Sequence, residues 1–143
     1  MGIEVRLTSH VAEFMKKAPE IAEQRMFEAV NEVRNTVLNK LSGERHGRTY
    51  TVPGTSRTYI ASAPGEPPAV MLGELRQSIS TESRAIEVER NGVNIIGRVG
   101  TDVKHGLEME KGKRNVLPRP WLQPSFEESE DKIKQIFGRE WEL

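Results

Sequence analysis

The chain has 143 residues, of which 36% are apolar and 29% are charged, and this length is enough for one domain with one modest hydrophobic core. Lys plus Arg and Asp plus Glu both number 21, so no net field draws the whole molecule to nucleic acid or to an anionic membrane. Cysteine is absent, which excludes disulfides and thiolate metal sites, and no stretch approaches the ~20 apolar residues that span a bilayer.

The first third of the chain predicts a short strand and a long helix. Residues 3–7 (IEVRL) alternate apolar and polar side chains, which is the period of a half-buried strand. Residues 8–9 (Thr-Ser) offer an N-cap, and apolar residues then recur at spacings of three and four over residues 11–41. Pro19 interrupts this pattern, so we expect a kink there, or a second helix with Pro19 in its first turn. Gly43 suits the left-handed residue that follows a helix.

A segment rich in proline and glycine, residues 44–68, is predicted to be an extended arm. It contains four prolines and few aliphatic side chains. Residues 49–52 and 57–60 are predicted to pair as edge strands around Pro53-Gly54. A loop of this length is usually functional or disordered, so we predict an arm that is mobile in the isolated subunit and ordered against neighbours. Its candidate contact residues are Tyr50, Val52, Tyr59 and Ile60.

The clearest local prediction is a β-hairpin around Asn91-Gly92. The flanking segments, residues 85–90 and 93–99, alternate in polarity. Asn-Gly is the favoured pair for a two-residue hairpin loop because both residues tolerate positive φ. Such a loop places Val88 opposite Ile95.

The rest of the chain predicts helices and one constrained turn. Helical segments are expected over residues 71–79, 103–110 and 124–138. Two prolines force an extended turn over residues 118–120, and Ser125 with Glu128 has the spacing of a capping box. The prediction is one α+β domain, residues 1–143, in which the long N-terminal helix and the C-terminal helix pack on a small, mainly antiparallel sheet.

The sequence contains no recognisable catalytic constellation. It has no Gly-x-Ser-x-Gly elbow and no phosphate-binding glycine loop. Asp102, His105 and Glu108 have a spacing of three that would place metal ligands on one helical face, but without a second histidine a solvated polar face is favoured. Two acidic clusters, Glu87 with Glu89 and residues 127–131, could mimic paired catalytic carboxylates, but an exposed strand face and the first turn of a helix are favoured. We therefore expect no enzyme activity, no metal and no cofactor.

One signal points to nucleic acid. Residues 95–100 (IIGRVG) are similar to the Ile-Ile-Gly-x-x-Gly of KH domains, whose glycine loop clamps a single-stranded backbone. A KH loop joins two helices, whereas this segment alternates with period two and leads out of a hairpin turn, which predicts a strand. A nucleic-acid-binding module that uses Gly97, Gly100 and the basic loops is the alternative function. Those basic residues are Arg45, Arg48, Arg57, Lys111, Lys113 and Arg114.

Trp121 is the largest apolar side chain next to the constrained turn. Its indole is too large to leave solvated without cost, so it is expected in the core or in a pocket between subunits, with the core favoured. Arg119 and Trp121 complete the set of candidate interface residues.

Five segments together resemble a known family. Residues 61–70 (ASAPGEPPAV) and 73–79 (GELRQSI) are similar to the "SAPGEPPA…TGxLRxSI" stretch of the HK97 gp10-like family of tail-component and tail-completion proteins of tailed phages. Residues 100–102 (GTD), 107–112 (LEMEKG) and 119–128 (RPWLQPSFEE) resemble its "Y…LEFGT…RPFLRPALEE" ending. The order and approximate spacing of the blocks match over nearly the whole chain.

The departures from the family pattern are few. Leu72 stands where the family has threonine before the glycine, and Trp121 stands where it has phenylalanine. Met109 replaces the aromatic of "LEFG" and is followed by an extra residue, Glu110. Most of these changes conserve volume, so the fold that the resemblance implies is little affected.

The resemblance implies a small α+β subunit that forms a ring, commonly a hexamer, between the head connector and the tail tube. The implied partners are copies of this chain, the connector or stopper protein and the tail tube protein, with genomic DNA passing through the lumen without specific binding. It implies no cofactor, no catalytic residue and no membrane contact. The N-terminal residues 1–10 contain no apolar run, so the sequence predicts no signal peptide and we expect synthesis in a cytoplasm. The resemblance implies that this is the cytoplasm of a bacterial host, and it implies a location in the virion, at the head–tail junction or tail.

Overall fold

The structure is a computed structural model that describes residues 2–7, 19–63, 66–69, 73–91, 94–114 and 117–139. In chain order its elements are β1 (Gly2–Leu7), α1 (Pro19–Ser42), β2 (Thr49–Thr51), β3 (Thr58–Ile60), α2 (Glu74–Ser80), α3 (Glu82–Ala85), β4 (Ile86–Asn91), β5 (Asn94–Gly100), α4 (Lys104–Lys111) and α5 (Leu122–Gly138). The predicted α+β domain is confirmed, because α1 and α5 pack on a small antiparallel sheet. Within these ranges, none of the helices combines the length and apolarity that a membrane crossing needs.

The main sheet has the strand order β1-β5-β4, and both pairings are antiparallel. Helix α1 covers one face of it. The central strand meets this helix at Gly97, where a Cβ atom would lie 2.3 Å from Cγ1 of Val30 and 2.7 Å from Sδ of Met26. A residue without a side chain is therefore needed for α1 to approach the sheet this closely.

The β4–β5 hairpin forms as predicted, but the predicted register is wrong. Val88 lies opposite Gly97 rather than Ile95, and Asn91 lies opposite Asn94. The cross-strand partner of each β4 residue therefore lies two positions further along β5 than predicted. Because side chains alternate with period two, this shift keeps every residue on its predicted face. Residues 92–93 of the turn lie outside the described residues.

Helix α1 begins at Pro19, so of the two alternatives the structure shows a helix that carries this proline in its first turn. The predicted cap and the first part of the long helical pattern, residues 8–18, lie outside the described residues. The buried stripe of α1 consists of Ala22, Met26, Ala29, Val30, Val33, Val37 and Leu41. The expectation of a left-handed Gly43 after the helix is wrong, because this glycine lacks a positive φ. The guanidinium of Arg45 instead donates hydrogen bonds to the backbone carbonyl oxygens of Lys40 and Gly43 at the end of the helix.

Helix α5 begins at Leu122, two to three residues before the predicted start, and ends at Gly138 as predicted. The proposed capping box is wrong. Ser125 is buried inside the helix, and its hydroxyl donates to the carbonyl oxygen of Trp121. The first N–H groups of α5 are satisfied from a distant part of the chain, which removes the need for a local cap.

The core consists of two adjoining clusters of buried residues. The first joins α1 to the sheet and to α5 through Val5, Met26, Val30, Val33, Ile95, Val99 and Ile133. The second lies at the C-terminal part of α1 and contains Val37, Leu41, Leu75, Ile79, Ala85, Trp121 and Leu122. Each large aliphatic side chain so buried stabilises the fold by about 1.5–3 kcal/mol. The second cluster lies under the segment from which the arm departs.

Candidate assembly surface

The arm over residues 44–68 carries the predicted two-stranded hairpin. Strands β2 and β3 pair antiparallel, with Tyr50 opposite Tyr59. The rings of these tyrosines have centroids 5.9 Å apart and are tilted by 32°. Gly54 turns the chain with φ 77°, a conformation that favours glycine. The predicted pairing of the two strands around Pro53-Gly54 is confirmed, and each strand is one residue shorter at the turn than predicted.

Backbone hydrogen bonds extend the hairpin toward its base. The N–H of Gly47 donates to the carbonyl oxygen of Ala61 and the N–H of Ala61 donates to that of Arg48, both at 2.8 Å. A Cβ on Gly47 would lie 2.5 Å from the oxygen of Ala61. The two limbs of the arm are therefore in direct contact where they leave the body of the subunit.

A buried arginine holds both limbs to the end of α1. The side chain of Arg45 is only 9% exposed, and the desolvation lowers its pKa, although the negative charge of Glu66 acts in the opposite direction. Its three guanidinium nitrogens donate to backbone carbonyl oxygens on both sides of the arm. The acceptors are those of Lys40, Gly43, Glu44, Pro67 and Pro68. One side chain thus fixes the beginning of the arm, its end and the helix terminus together.

Glu66 forms a second closure between the limbs. Its Oε1 accepts hydrogen bonds from the backbone N–H of His46 at 2.9 Å and from that of Ala63 at 2.6 Å. Its Oε2 lies 2.8 Å from Nδ1 of His46. The hydrogen bond from the His46 ring, followed by those from the two backbone groups, lowers the pKa of Glu66 to about 2. The carboxylate is therefore held in its ionised form.

The arm is also tied to the turn before α5. Nε of Arg119 donates to the hydroxyl of Ser62 at 3.1 Å, and the backbone N–H of Arg119 donates to the carbonyl oxygen of Met109 at 2.5 Å. Arg119 is half-buried at this junction. The arm, the end of α4 and the beginning of α5 therefore meet at one place.

Trp121 fills the space under this junction. Its side chain is fully buried, and its Nε1 donates to the carbonyl oxygen of Gly106 at 2.9 Å. A Cβ on Gly106 would lie 2.8 Å from Cδ1 of Leu75 and 3.1 Å from Cζ2 of Trp121. Beside it, the hydroxyls of Ser78 and Thr101 are 2.6 Å apart and buried. The prediction that Trp121 packs in the core is confirmed.

Four of the six candidate interface residues remain at or near the surface. Tyr50 and Ile60 are 47% and 49% exposed, and Tyr59 and Arg119 are half-buried. Val52 and Trp121 are buried within the subunit, and this corrects their assignment to an interface. Leu117, which the sequence did not single out, is 65% exposed just before the Pro118 turn.

The possible metal ligands on and before α4 are used in other contacts or face solvent. Asp102 forms an ion pair of 2.5 Å with Arg84, whose hydrogen bond lowers the pKa of Asp102. Glu108 lies 3.2 Å from Nζ of Lys113, and His105 is exposed. In the described ranges, no three residues among His, Asp and Glu are grouped to hold a metal ion.

The outer face of the main sheet carries the predicted exposed acidic residues. They surround Arg98, which lies 3.0 Å from Glu4, 2.7 Å from Glu89 and 3.7 Å from Glu87. The hydrogen bonds to Glu89 and Glu4 raise the pKa of the guanidinium. Among the side chains described on this face, one guanidinium faces three carboxylates.

The glycine segment of the alternative function lies inside the fold. Gly97 is a central residue of β5 and is buried under α1. It therefore is not part of an exposed loop between two helices, which the KH clamp requires.

Sequence reasoning missed the three side chains that organise the junction. Arg45, Glu66 and Glu110 all bind backbone groups far away in the chain, and no local pattern signals such contacts. Glu66 lies within a family-like segment, which is an available indication, whereas Glu110 is the residue added to the family pattern. Comparison of the chain with protein-family models, with curated proteins and with solved structures finds no match.

Proposed function

We propose that this protein is a structural subunit of a ring at the head–tail junction of a tailed phage, where it joins the connector to the tail tube. Its partners in this role are copies of itself, the connector or stopper protein and the tail tube protein, while the genomic DNA passes through the lumen without specific binding. The role needs no catalytic residue, no cofactor and no membrane, and it places the chain in the virion.

One observation carries the proposal: the family-like segments, far apart in sequence, meet in space at the base of the arm. Ser62 of the first segment binds Arg119 of the last. Ser78 of the second binds Thr101 of the third. Residues 107–112 contribute Met109, whose carbonyl oxygen accepts a hydrogen bond from the backbone N–H of Arg119 in the last segment. The resemblance therefore rests on residues that build one connected structure, which supports its being more than chance similarity of short motifs.

The polar groups of these segments support a structural role. Glu66, Ser78, Thr101 and Glu110 all bind backbone or buried hydroxyl groups of the same chain. A catalytic group needs a free face toward a substrate. These side chains instead hold the arm, α2, α4 and α5 in fixed relation.

The exposed apolar residues support protein–protein contact. Tyr50, Ile60 and Leu117 expose large apolar side chains on the arm and on the loop beside Arg119. Tyrosine is enriched where protein surfaces bind each other. A subunit that presents such an arm from a rigid base suits a role in joining neighbouring proteins.

A solution experiment and a genetic experiment test the proposal. Light scattering after size exclusion, at two salt concentrations and with or without DNA, should show a ring whose mass does not depend on DNA. A nucleic-acid module would instead bind DNA with a steep salt dependence.

Phage lacking a functional copy should accumulate full heads and separate tails, and the wild-type chain supplied in trans should join them.

Removal of the arm tests which part of the subunit joins its partners. Because Gly47 and Ala61 are hydrogen-bonded, residues 48–60 can be replaced by a two-residue turn with the base retained. This variant should fold but fail to complement. Infectious particles at wild-type titre would show that the arm has no part in joining heads to tails.

A further inference from the structure

The β2–β3 hairpin is an incomplete sheet. Within the described ranges its strands pair only with each other, and most of their side chains are exposed. An isolated two-stranded hairpin is at best marginally stable in water, and its outer edges present unpaired backbone groups. A further strand would satisfy these groups.

The hairpin is positively charged. Residues 47–63 include Arg48 and Arg57 but no acidic residue. Side chains alternate along each strand, so both arginines share a face with the paired Tyr50 and Tyr59. Both are exposed, and neither forms an ion pair with another described residue.

The main sheet has a complementary edge at β4. Among the strands that the structure describes, β4 is paired with β5 alone. Glu87 and Glu89 project from it on the solvent face, where Arg98 is the one described guanidinium near them. The other edge strand, β1, adds a single carboxylate to that face, that of Glu4. Two of the three carboxylates described on this face therefore belong to β4.

We infer that the hairpin of one copy adds to the β4 edge of the next copy, with Arg48 and Arg57 facing Glu87 and Glu89. Backbone hydrogen bonds between the strands supply affinity, and the four charges select the partner and its orientation. The hairpin and β4 are different surfaces of one chain, so each copy donates one and receives on the other. Such head-to-tail contacts generate a ring when the rotation between successive copies closes. This inference rests on the proposed function and names the contact that would build the ring.

Charge reversal in two separate variants tests the contact. Arg48→Glu/Arg57→Glu places like charges against β4, and Glu87→Lys/Glu89→Lys places like charges against the hairpin. Each variant alone should self-associate at least ~10-fold more weakly than wild type in light scattering. A mixture of the two should recover assembly, because each hairpin then meets an edge of opposite charge. Reversals elsewhere, Lys104→Glu/Lys134→Glu and Glu127→Lys/Glu130→Lys, should leave assembly unchanged.

A cysteine pair tests the same contact without charge reversal and covers the case in which a reversal variant misfolds. The chain contains no cysteine, so Arg57→Cys in one copy and Glu89→Cys in another, which the proposed contact places on the same face, are its sole thiols. The mixture should give disulfide-linked dimers under oxidation, and either variant alone should give few.

The outcomes separate the inference from the proposed function. If wild type forms a ring while the reversal variants assemble equally well and the cysteines do not link, the inference is overturned and the ring stands. If wild type is monomeric in solution and absent from particles, the proposed function itself fails. Loss of DNA binding in Arg48→Glu/Arg57→Glu with normal assembly would show that the arm contacts nucleic acid, and this too overturns the inference.

Discussion

The carboxylate of Glu110 caps a helix to which it does not belong: its Oε1 accepts a hydrogen bond of 2.9 Å from the backbone N–H of Trp121. The N–H of Leu122 donates to the same oxygen at 2.6 Å. Because the N-terminus of a helix carries unsatisfied N–H groups and a partial positive charge, an anion held there is stabilising. The last residues of α4 thereby determine where α5 begins.

Replacement of Glu110 should destabilise the subunit. We expect Glu110→Ala to lower the free energy of unfolding by about 1 kcal/mol, the usual value of a lost N-cap. Glu110→Gln keeps an acceptor oxygen and should cost less. Urea denaturation measures both, with the exposed Glu130→Ala as control. Equal stability of Glu110→Ala and wild type would show that the cap contributes nothing.

Replacement of Trp121 should separate packing from hydrogen bonding. Trp121→Ala removes a fully buried indole and should cost about 3–5 kcal/mol. Trp121→Phe keeps most of the apolar volume but removes the hydrogen bond from the indole to the carbonyl oxygen of Gly106, which should cost about 0.5–1.5 kcal/mol. The same urea titrations measure both values. A melting temperature unchanged in Trp121→Ala would contradict the burial of this side chain.

An added methyl group at Gly97 should disturb the contact between α1 and the sheet. In Gly97→Ala the new Cβ would lie 2.3 Å from Cγ1 of Val30, and overpacking of this kind costs about 1–3 kcal/mol. Val30→Ala in the same chain removes that atom and should recover part of the loss. Gly138→Ala is the matched control, since a Cβ there meets no atom within 4 Å. If Gly97→Ala unfolds at the same urea concentration as wild type, the close approach is absent.

The elements that depend on neighbouring residues were predictable from the sequence. Alternation over residues 3–7 indicates β1, Asn91-Gly92 indicates a hairpin, and Pro19 opens a helix because its ring fits the first turn. These signals act over a few residues, so a local pattern is enough to recognise them.

The features that depend on distant contacts were not predictable in this way. The hairpin register places Gly97 opposite Val88, under Met26 and Val30 of α1, and two-residue loop chemistry contains no information about that helix. Likewise α5 begins at Leu122 because Glu110 reaches it from α4. The arm was expected to have few anchors because its sequence is poor in aliphatic residues, yet its base is held by polar side chains.

The carboxyl group of Glu66 should become protonated only when the pH falls to about 2. Its pKa in the folded chain is about 2, below the ordinary 4.5, because the His46 ring and two backbone N–H groups bind the carboxylate. A lowered folded pKa means that this contribution to stability is complete above pH 4.5 and is lost as the pH falls toward 2. A carbon NMR titration of the Glu66 carboxyl group should therefore have a midpoint near 2, and His46→Ala should raise it. A wild-type midpoint near 4.5 would contradict the closure at the arm's base.

Amide exchange along the arm should be graded from base to tip in the isolated subunit. The N–H groups of Gly47, Ala61 and Ala63 are hydrogen-bonded beside the Arg45 and Glu66 contacts, so they should exchange slowly. The exposed β2 and β3 strands have no third strand among the described residues and should exchange faster. Ordering a residue costs about 1–2 kcal/mol of backbone entropy, and assembly with neighbours would offset it for the tip.

Arg45→Lys tests whether the buried guanidinium sets this gradient. Lysine keeps the positive charge but not the planar set of five donors that reaches carbonyl groups on both limbs. We expect protection at Gly47 and Ala61 to fall by at least ~10-fold, equivalent to about 1.4 kcal/mol, while amides in the middle of α1 stay protected. Arg76→Lys, at an exposed arginine that binds only the Ser42 hydroxyl in the described part of the chain, is the matched control. Uniform fast exchange over residues 44–68 in wild type would mean a fully mobile arm, and uniform slow exchange in a verified monomer would mean that its order needs no neighbour.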